Sequence, residues 1–333
     1  ARAMKESSSE ITQAVVRYLD QVQRVTIVNT DGVYVTDERP RTRIYLQAIA
    51  MNGTEAQTGY VGPGSCRGFE AYRDVIDVEK NAKVAANMAV TMLHAPECPA
   101  GTLPVVIDGG FGGVIFQEAC GHSREATAVG RNNSVFCGKL NTKIAADCVS
   151  AVDDGTLPGE WGSINVDDEG GKPQRNLLIE NGILKGYLID KLGSRRMEMP
   201  STGSSRRQGY MFAPTSRMTN TFICPGLDDD DEMISSMAEG LFAKKMGGGS
   251  VNPSTGEFNF SVAEGYWVKN GKIVSPVRGA TLVGKGSEVL LKIDRVGKNM
   301  WMAAGMCGSL SGAVPTNVGQ PRIRVSGMTI GGK

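Results

Sequence analysis

The chain contains no run of 18 apolar residues, so it offers no membrane-spanning helix. It has almost no surplus charge: 36 Lys and Arg stand against 35 Asp and Glu, a formal net charge of +1. That balance excludes a basic footprint, and with it direct nucleic-acid binding as the main activity. The first twenty residues lack the basic start, apolar stretch and cleavage site of a secretory signal. The seven cysteines (66, 98, 120, 137, 148, 224 and 307) are odd in number, scattered, and without CxxC spacing. They fit reduced thiols of a cytoplasmic protein rather than a disulfide framework. Histidine is scarce, with only His94 and His122 in the chain.

What is present describes an ordinary globular protein. The chain has 333 residues, 41% hydrophobic and 21% charged, enough for one large or two ordinary domains. Glycine is abundant, at 43 residues, against an average near 7%. This points to tight turns and close backbone approaches. The chain begins with Ala and reads as a processed, trimmed or partial product.

Along the chain, residues 5–20 read as an amphipathic helix with Ile11, Val15, Tyr18 and Leu19 on one side. Residues 25–28 and 33–36 form a hairpin turning at Asp31-Gly32, and 43–50 a further strand. Residues 77–93 read as a helix ended by Pro96 and Pro99, with a boundary near 95–102. Beyond it, Asn181-Gly182 and Asn270-Gly271 each separate two apolar runs. Such pairs signal hairpins, because type I′ turns need positive φ at both central residues. Two of them argue for an α+β fold with a largely antiparallel sheet core. The acids at 228–232 lack the alternating spacing of a calcium loop. They read as the start of a helix carrying Met233, Ile234, Met237, Leu241 and Phe242 on one face, closed by Lys244, Lys245 and Gly247.

The chemistry concentrates in Phe116-Gln117-Glu118-Ala119-Cys120-Gly121-His122. It follows an apolar strand-like run at 103–107 and a glycine-rich turn at 108–113. Glu118 and His122, four apart, share a face of a helix. Gln117 and His122, five apart, lie about 140° around it. A π-type widening would aim both at one point, and Gly121 offers little resistance to it. Taken alone, a Glu–His pair at this spacing reads as a structural hydrogen bond. Cys120 points away and reads as a small buried residue. Cys307, between small residues, reads as a thiol in a flexible loop, inert or free to meet a metal. The run 109–113 lacks the Gly-Lys-Ser/Thr of a phosphate loop; it either seats the Glu118 helix on its strand or forms a cap and loop. Arg206, Arg207 and Arg217 read as a solvated surface loop, with a substrate carboxylate or a partner as the other reading. Residues 167–169 read as a turn.

Residues 117–122, taken with Ser134-Val135-Phe136, Asp167-Asp168-Glu169-Gly170, Met246-Gly247-Gly248-Gly249 and the stretch 307–321, resemble the TldD/PmbA family, and its TldD-type members most. The resemblance runs over essentially the whole chain and covers the family's last two-thirds, without an amino-terminal segment. It divides the chain into 1–100, the remainder of an amino-terminal α+β domain, and 101–333, a metallopeptidase domain. It implies zinc-dependent proteolysis of peptides or unfolded segments, with one zinc per site. The motif is His-Glu-x-x-x-His with a distant cysteine, so Glu118 matches the general base, and His122 and Cys307 match ligands. Gln117 stands where the first histidine ligand belongs, so the site is expected to be one donor short and activity reduced. The resemblance also implies a substrate groove at Gly247, Gly248 and Gly249, and pairing with a PmbA/TldE-type subunit or with a second copy. Two other functions compete with proteolysis: a peptide-binding pseudoenzyme and a gyrase-modulating interaction protein.

Overall fold

The computed structural model describes residues 1–252 and 255–332. It shows an α+β fold in which antiparallel pairing dominates. The strands Ile11–Val28 and Tyr34–Asn52 form one long hairpin, in continuous register from Gln13↔Ile49 to Val28↔Tyr34, with a bulge between Ile11 and Gln13. Its turn uses Gly32 at φ +83°. Glu55–Val61 adds a third strand beside Tyr34–Asn52.

The helix Val78–Leu93 crosses this sheet. Asp77 caps it, accepting from the Lys80 N–H at 2.8 Å. Its buried face is mostly alanine: Ala82, Ala85, Ala86 and Ala89 pack with Leu46, Ala48 and Ala50. Small side chains on the helix and a glycine on the sheet bring the two backbones close. A Cβ on Gly59 would stand 1.8 Å from the Ala85 carbonyl oxygen.

The helix expected over 5–20 is not there. A short helix, Arg2–Ser7, precedes a strand that continues to Val28. Ile11, Val15, Tyr18 and Leu19 do match a helical period. Cross-strand pairing and the β-branched residues of the segment outweigh it. Only Ile11 and Ile27 of this strand are buried, so alternation was too weak to be read.

The rest of the chain builds two larger sheets. In one, Glu239–Val251, Gly101–Ile107, Ile323–Gly331, Thr281–Lys285 and Glu257–Lys269 pair in turn, and the last pairs back to the first, closing a ring. Lys272–Val277 hangs from it by the Asn270-Gly271 turn, with φ of 50° and 71°. In the other sheet the order is Trp301–Ser309, Gly312–Gln320, Asn220–Ile223, Ala151–Asp154, Arg175–Glu180 and Ile183–Leu184. Asn181-Gly182 makes its expected turn, with φ of 46° and 80°. The main core takes residues from both sheets, among them Val105, Ile107, Phe260, Leu178 and Val318, with Phe116 packed among them.

The helix expected to run from the 228–232 acids to Phe242 is shorter than read. Asp229 caps a helix, Asp230–Ser235, and residues 241–243 instead form a strand parallel to 105–107. Met233, Met237 and Phe242 still share one buried cluster with Val106 and Val268. Leu241, on the opposite side of the strand, joins the main core instead, so the apolar spacing marked a shared core for four of the five residues and a common helix wrongly.

Gly59→Ala should lower stability by about 1–3 kcal/mol, because the added carbon meets backbone that can yield only by moving the helix. Urea unfolding checks this. An unchanged midpoint would contradict the close packing of Val78–Leu93 on its sheet.

Candidate metal centre

The site is built where the glycine run lies on a strand. After Gly101–Ile107 the chain makes a 3₁₀ turn, Gly110–Gly113, then the helical residues Val114–Phe116. A Cβ on Gly113 would stand 2.6–2.8 Å from the backbone of Gly319. On Gly112 it would meet Ile107 and Gln320 at 2.9 Å. Glycine here presses the segment against Gly312–Gln320, the ladder partner of the strand that carries Cys307.

The next turn is a π-helix, Gln117–Gly121. The widened turn sets Gln117 and His122 beside one sulfur: His122 Nε2 lies 3.0 Å and Gln117 Nε2 3.4 Å from Cys307 Sγ. Glu118 Oε2 lies 3.9 Å from His122 Nε2. Donor atoms of Glu118, His122 and Cys307 all fall within 4.8 Å of one another. Gly121 leaves room for a neighbour: a Cβ there would stand 2.2 Å from Met218 Sδ, so Met218 would have to move. Beneath the turn, Arg124 Nε donates to the Cys120 carbonyl at 2.9 Å, and its guanidinium lies over the Phe116 ring at 4.6 Å. Cys120 is buried, as expected, and burial pushes its thiol up to about 11.

Cys307 corrects another expectation. It is not in a flexible loop but in the strand Trp301–Ser309, opposite Val314, and it is buried. Its carbonyl accepts a hydrogen bond from Arg217 Nη2. Arg217 also donates from Nη1 to Ser311 Oγ and the Gly312 carbonyl, and its Nε faces Glu125 Oε1 at 3.8 Å. Arg217 and Arg206 are therefore interior residues, 0% and 4% exposed, not a solvated loop. The turn-rich local sequence hid this, because their partners are backbone carbonyls far along the chain. Residues 167–169 do turn: the Asp167 carboxylate accepts from the N–H groups of Glu169 and Gly171.

Glu125 was missed. Its Oε1 lies 3.2 Å from His122 Nδ1, without the alignment of a hydrogen bond. A carboxylate on the far nitrogen is how ligand histidines are usually oriented. The i,i+3 spacing to His122 was the available signal. Burial opposes a charge on His122, but Glu125 and Cys307 outweigh it and hold the imidazole well above its ordinary range. Burial raises the Glu118 carboxyl, against the opposing pull of His122.

A cavity of about 880 Å³ is reached from the centre through Met306, the chain neighbour of Cys307, which lines it, whereas Glu118, His122 and Cys307 do not. It is bounded by residues 108–112, by 244–248 and by 301–306, with Tyr45 and Tyr60 on the hairpin side. Gly247 and Gly248 border it. Gly249 packs instead against Asn259 and Phe260, where a Cβ would meet Asn259 O at 2.1 Å.

Residues 1–93 match the PmbA/TldA metallopeptidase central domain, and residues 100–332 match the PmbA/TldA metallopeptidase C-terminal domain. The chain belongs to this metallopeptidase family. It is 36% identical over 337 residues to the metalloprotease TldD homolog of Haemophilus influenzae, covering 99% of this chain and 70% of that protein. It is 34% identical over 318 residues to a metalloprotease of Methanocaldococcus jannaschii, covering 96% and 70%. The solved structure of TldE from Thermococcus kodakarensis shares the fold at a TM-score of 0.76 and 18% identity, covering 99% of this chain and 72% of that one. A Thermotoga maritima protein described as a candidate modulator of a DNA gyrase does so at 0.82 and 24%, with the same coverage.

The resemblance set Gln117 in a ligand's place and left the set one donor short, and this is corrected. His122 is intact, and Glu118, His122 and Cys307 assemble a three-donor group without position 117. Gln117 is buried and gives its amide to the Cys307 sulfur instead. Thiolate, imidazole and carboxylate together are donors that suit zinc.

Arg217→Met should cost about 3–5 kcal/mol, because it leaves Glu125 buried without its cation and the Cys307 carbonyl without its donor. Chemical denaturation reads the loss. A change below about 1 kcal/mol would show that Arg217 does not hold the centre together.

Proposed function

We propose that this chain is a zinc peptidase acting on peptides or unfolded segments, with Glu118, His122 and Cys307 as the donors that would hold the metal and Glu118 also as the base. The observation that carries the reading is the meeting of Glu118, His122 and Cys307 within 4.8 Å, from positions up to 189 apart in sequence. When bound, zinc supplies Lewis acidity at neutral pH. Glu118 takes a proton from the attacking water and passes it to the leaving amine. Its carboxyl, raised by burial, suits that exchange. Glu125 orients His122 from the far nitrogen, and Arg217 fixes the strand that carries the sulfur.

The groove receives an extended peptide. The strand Glu239–Val251 pairs with Gly101–Ile107 only at 241–243, and its ladder to Glu257–Lys269 skips Gly247 and Gly248. On the side away from Glu257–Lys269, the segment 244–248 has no ladder partner among the described residues and borders the cavity, although the Gly248 carbonyl takes the Ser261 hydroxyl at 2.9 Å; a free strand edge of this kind is where peptides add a strand to a sheet. A TldE-type subunit or a second copy is the proposed partner. The surface that supports it is the outer strand Ile11–Val28, which is unpaired on one side and exposes Val16, Tyr18, Leu19 and Val22. Among the described residues no helix is long and apolar enough to cross a membrane.

Elemental analysis after zinc loading should find zinc bound stoichiometrically, and His122→Ala and Cys307→Ser should each abolish it. Glu118→Gln should weaken zinc binding, since an amide is a poorer donor than a carboxylate, and lose at least about a hundredfold in peptide cleavage even at saturating zinc. Zinc affinity unchanged in Glu118→Gln would remove Glu118 from the donors and leave it as the base alone. Zinc and cleavage both retained would remove it from the mechanism.

A further inference from the structure

We infer that a second cavity, beside the cysteine strand, binds a carboxylate of the peptide through Arg41, Arg206 and Arg207; this rests on the peptidase reading above. The cavity is about 350 Å³, and four arginines line it against two aspartates. The aspartates are already committed. Asp168 pairs with Arg39 at 2.9 Å and accepts from the Arg207 N–H at 2.7 Å. Asp167 accepts from the N–H groups of Glu169, Gly171 and Ser205. Arg39 is neutralised twice, since Asp37 lies 2.8 Å away on its other side.

Among the described residues, the other three guanidinium groups have no carboxylate within ion-pair distance. Arg41 donates to the carbonyls of Pro40 and Ser163, and its Nε has no partner. Arg206 donates to the carbonyls of Met218 and Pro315, both at 2.6 Å. Arg207 donates to the Phe212 carbonyl at 3.3 Å. Carbonyls satisfy hydrogens without cancelling charge. Arg41 and Arg206 are 8% and 4% exposed, so water does little to screen them. Burial pulls Arg206 down to about 9; Arg41 and Arg217 beside it push the same way, and the more weakly acting Asp168 and Asp153 do not offset them. Charges buried without a counter-ion are costly. An incoming carboxylate would relieve that cost, and planar guanidinium forks match its two oxygens.

The placement ties this cavity to the substrate. Tyr45 and Met306 line both cavities, so the smaller one adjoins the groove. Met306 precedes Cys307, and Val314, which also lines the smaller cavity, is the ladder partner of Cys307. A peptide lying along the strand Trp301–Ser309 therefore brings its neighbouring residues to the arginines. The carboxylate is either the peptide's own terminus or an Asp or Glu side chain.

Three labelled peptides of one sequence separate these: a free terminus with Asn inside, an amidated terminus with Asn inside, and an amidated terminus with Asp inside. Binding to the whole chain is read by fluorescence anisotropy with a chelator present, so that it does not depend on metal. The correct carboxylate should bind about tenfold tighter than the neutral peptide, the scale of a hydrogen-bonded charge. Arg207→Gln should remove most of this preference and Arg207→Lys restore part of it. Arg207 is half-buried, and the peptide comparison on the unaltered chain needs no variant to fold. Equal binding of all three peptides would overturn the proposal. Cleavage is scored separately with zinc: a carboxylate preference without cleavage would support the anion site and count against the peptidase reading.

Discussion

The structure depends on the contact between Gly113 and the backbone of Gly319. No side chain fits there, since a Cβ on Gly113 would come within 2.8 Å of three Gly319 backbone atoms. This seat fixes the segment carrying Glu118 and His122 on the strand Gly312–Gln320, and that strand holds Trp301–Ser309 in register through Cys307↔Val314. A carboxylate, an imidazole and a thiol from distant parts of the chain are thereby aimed at one point. The geometry is set by backbone packing, the least compliant part of a folded chain.

The electrostatics follow from the same seat. Glu125 and Arg217 are buried beside the half-buried His122 and the buried Cys307, and they join them through a carboxylate on the far imidazole nitrogen and a guanidinium on the Cys307 carbonyl. These groups are not free to reorganise, so the donor set is held in place before any ion arrives. Preorganisation of this kind is what metal and catalytic sites require of their surroundings. It also explains why positive charge is unevenly spread inside the molecule: Arg217 has a carboxylate within 4 Å, whereas Arg41 and Arg206 have only carbonyls.

Much of this was legible in the sequence where the signal was local. Asn181-Gly182 and Asn270-Gly271 marked their hairpins because only particular residues tolerate positive φ in sequence. The π-turn was legible from the five-residue spacing of Gln117 and His122 with Gly121 between them. Where partners lie far along the chain, the reading failed. The strand Ile11–Val28 passed for a helix because its pairing partner, not its own periodicity, decides its form. Arg206 and Arg217 passed for surface residues because their acceptors are carbonyls at 218, 307, 312 and 315. Position 117 was weighed as a lost ligand, and Glu118 was not counted among the donors that the turn brings together.

The central claim is that these donors hold one zinc through sulfur and nitrogen. Zinc K-edge X-ray absorption on the zinc-loaded chain tests it most directly. The account predicts a single sulfur at about 2.3 Å and nitrogen or oxygen neighbours at about 2.0–2.1 Å, with the sulfur shell absent in Cys307→Ser. A spectrum with no sulfur neighbour, or one unchanged by Cys307→Ser, would place the metal elsewhere and contradict the account.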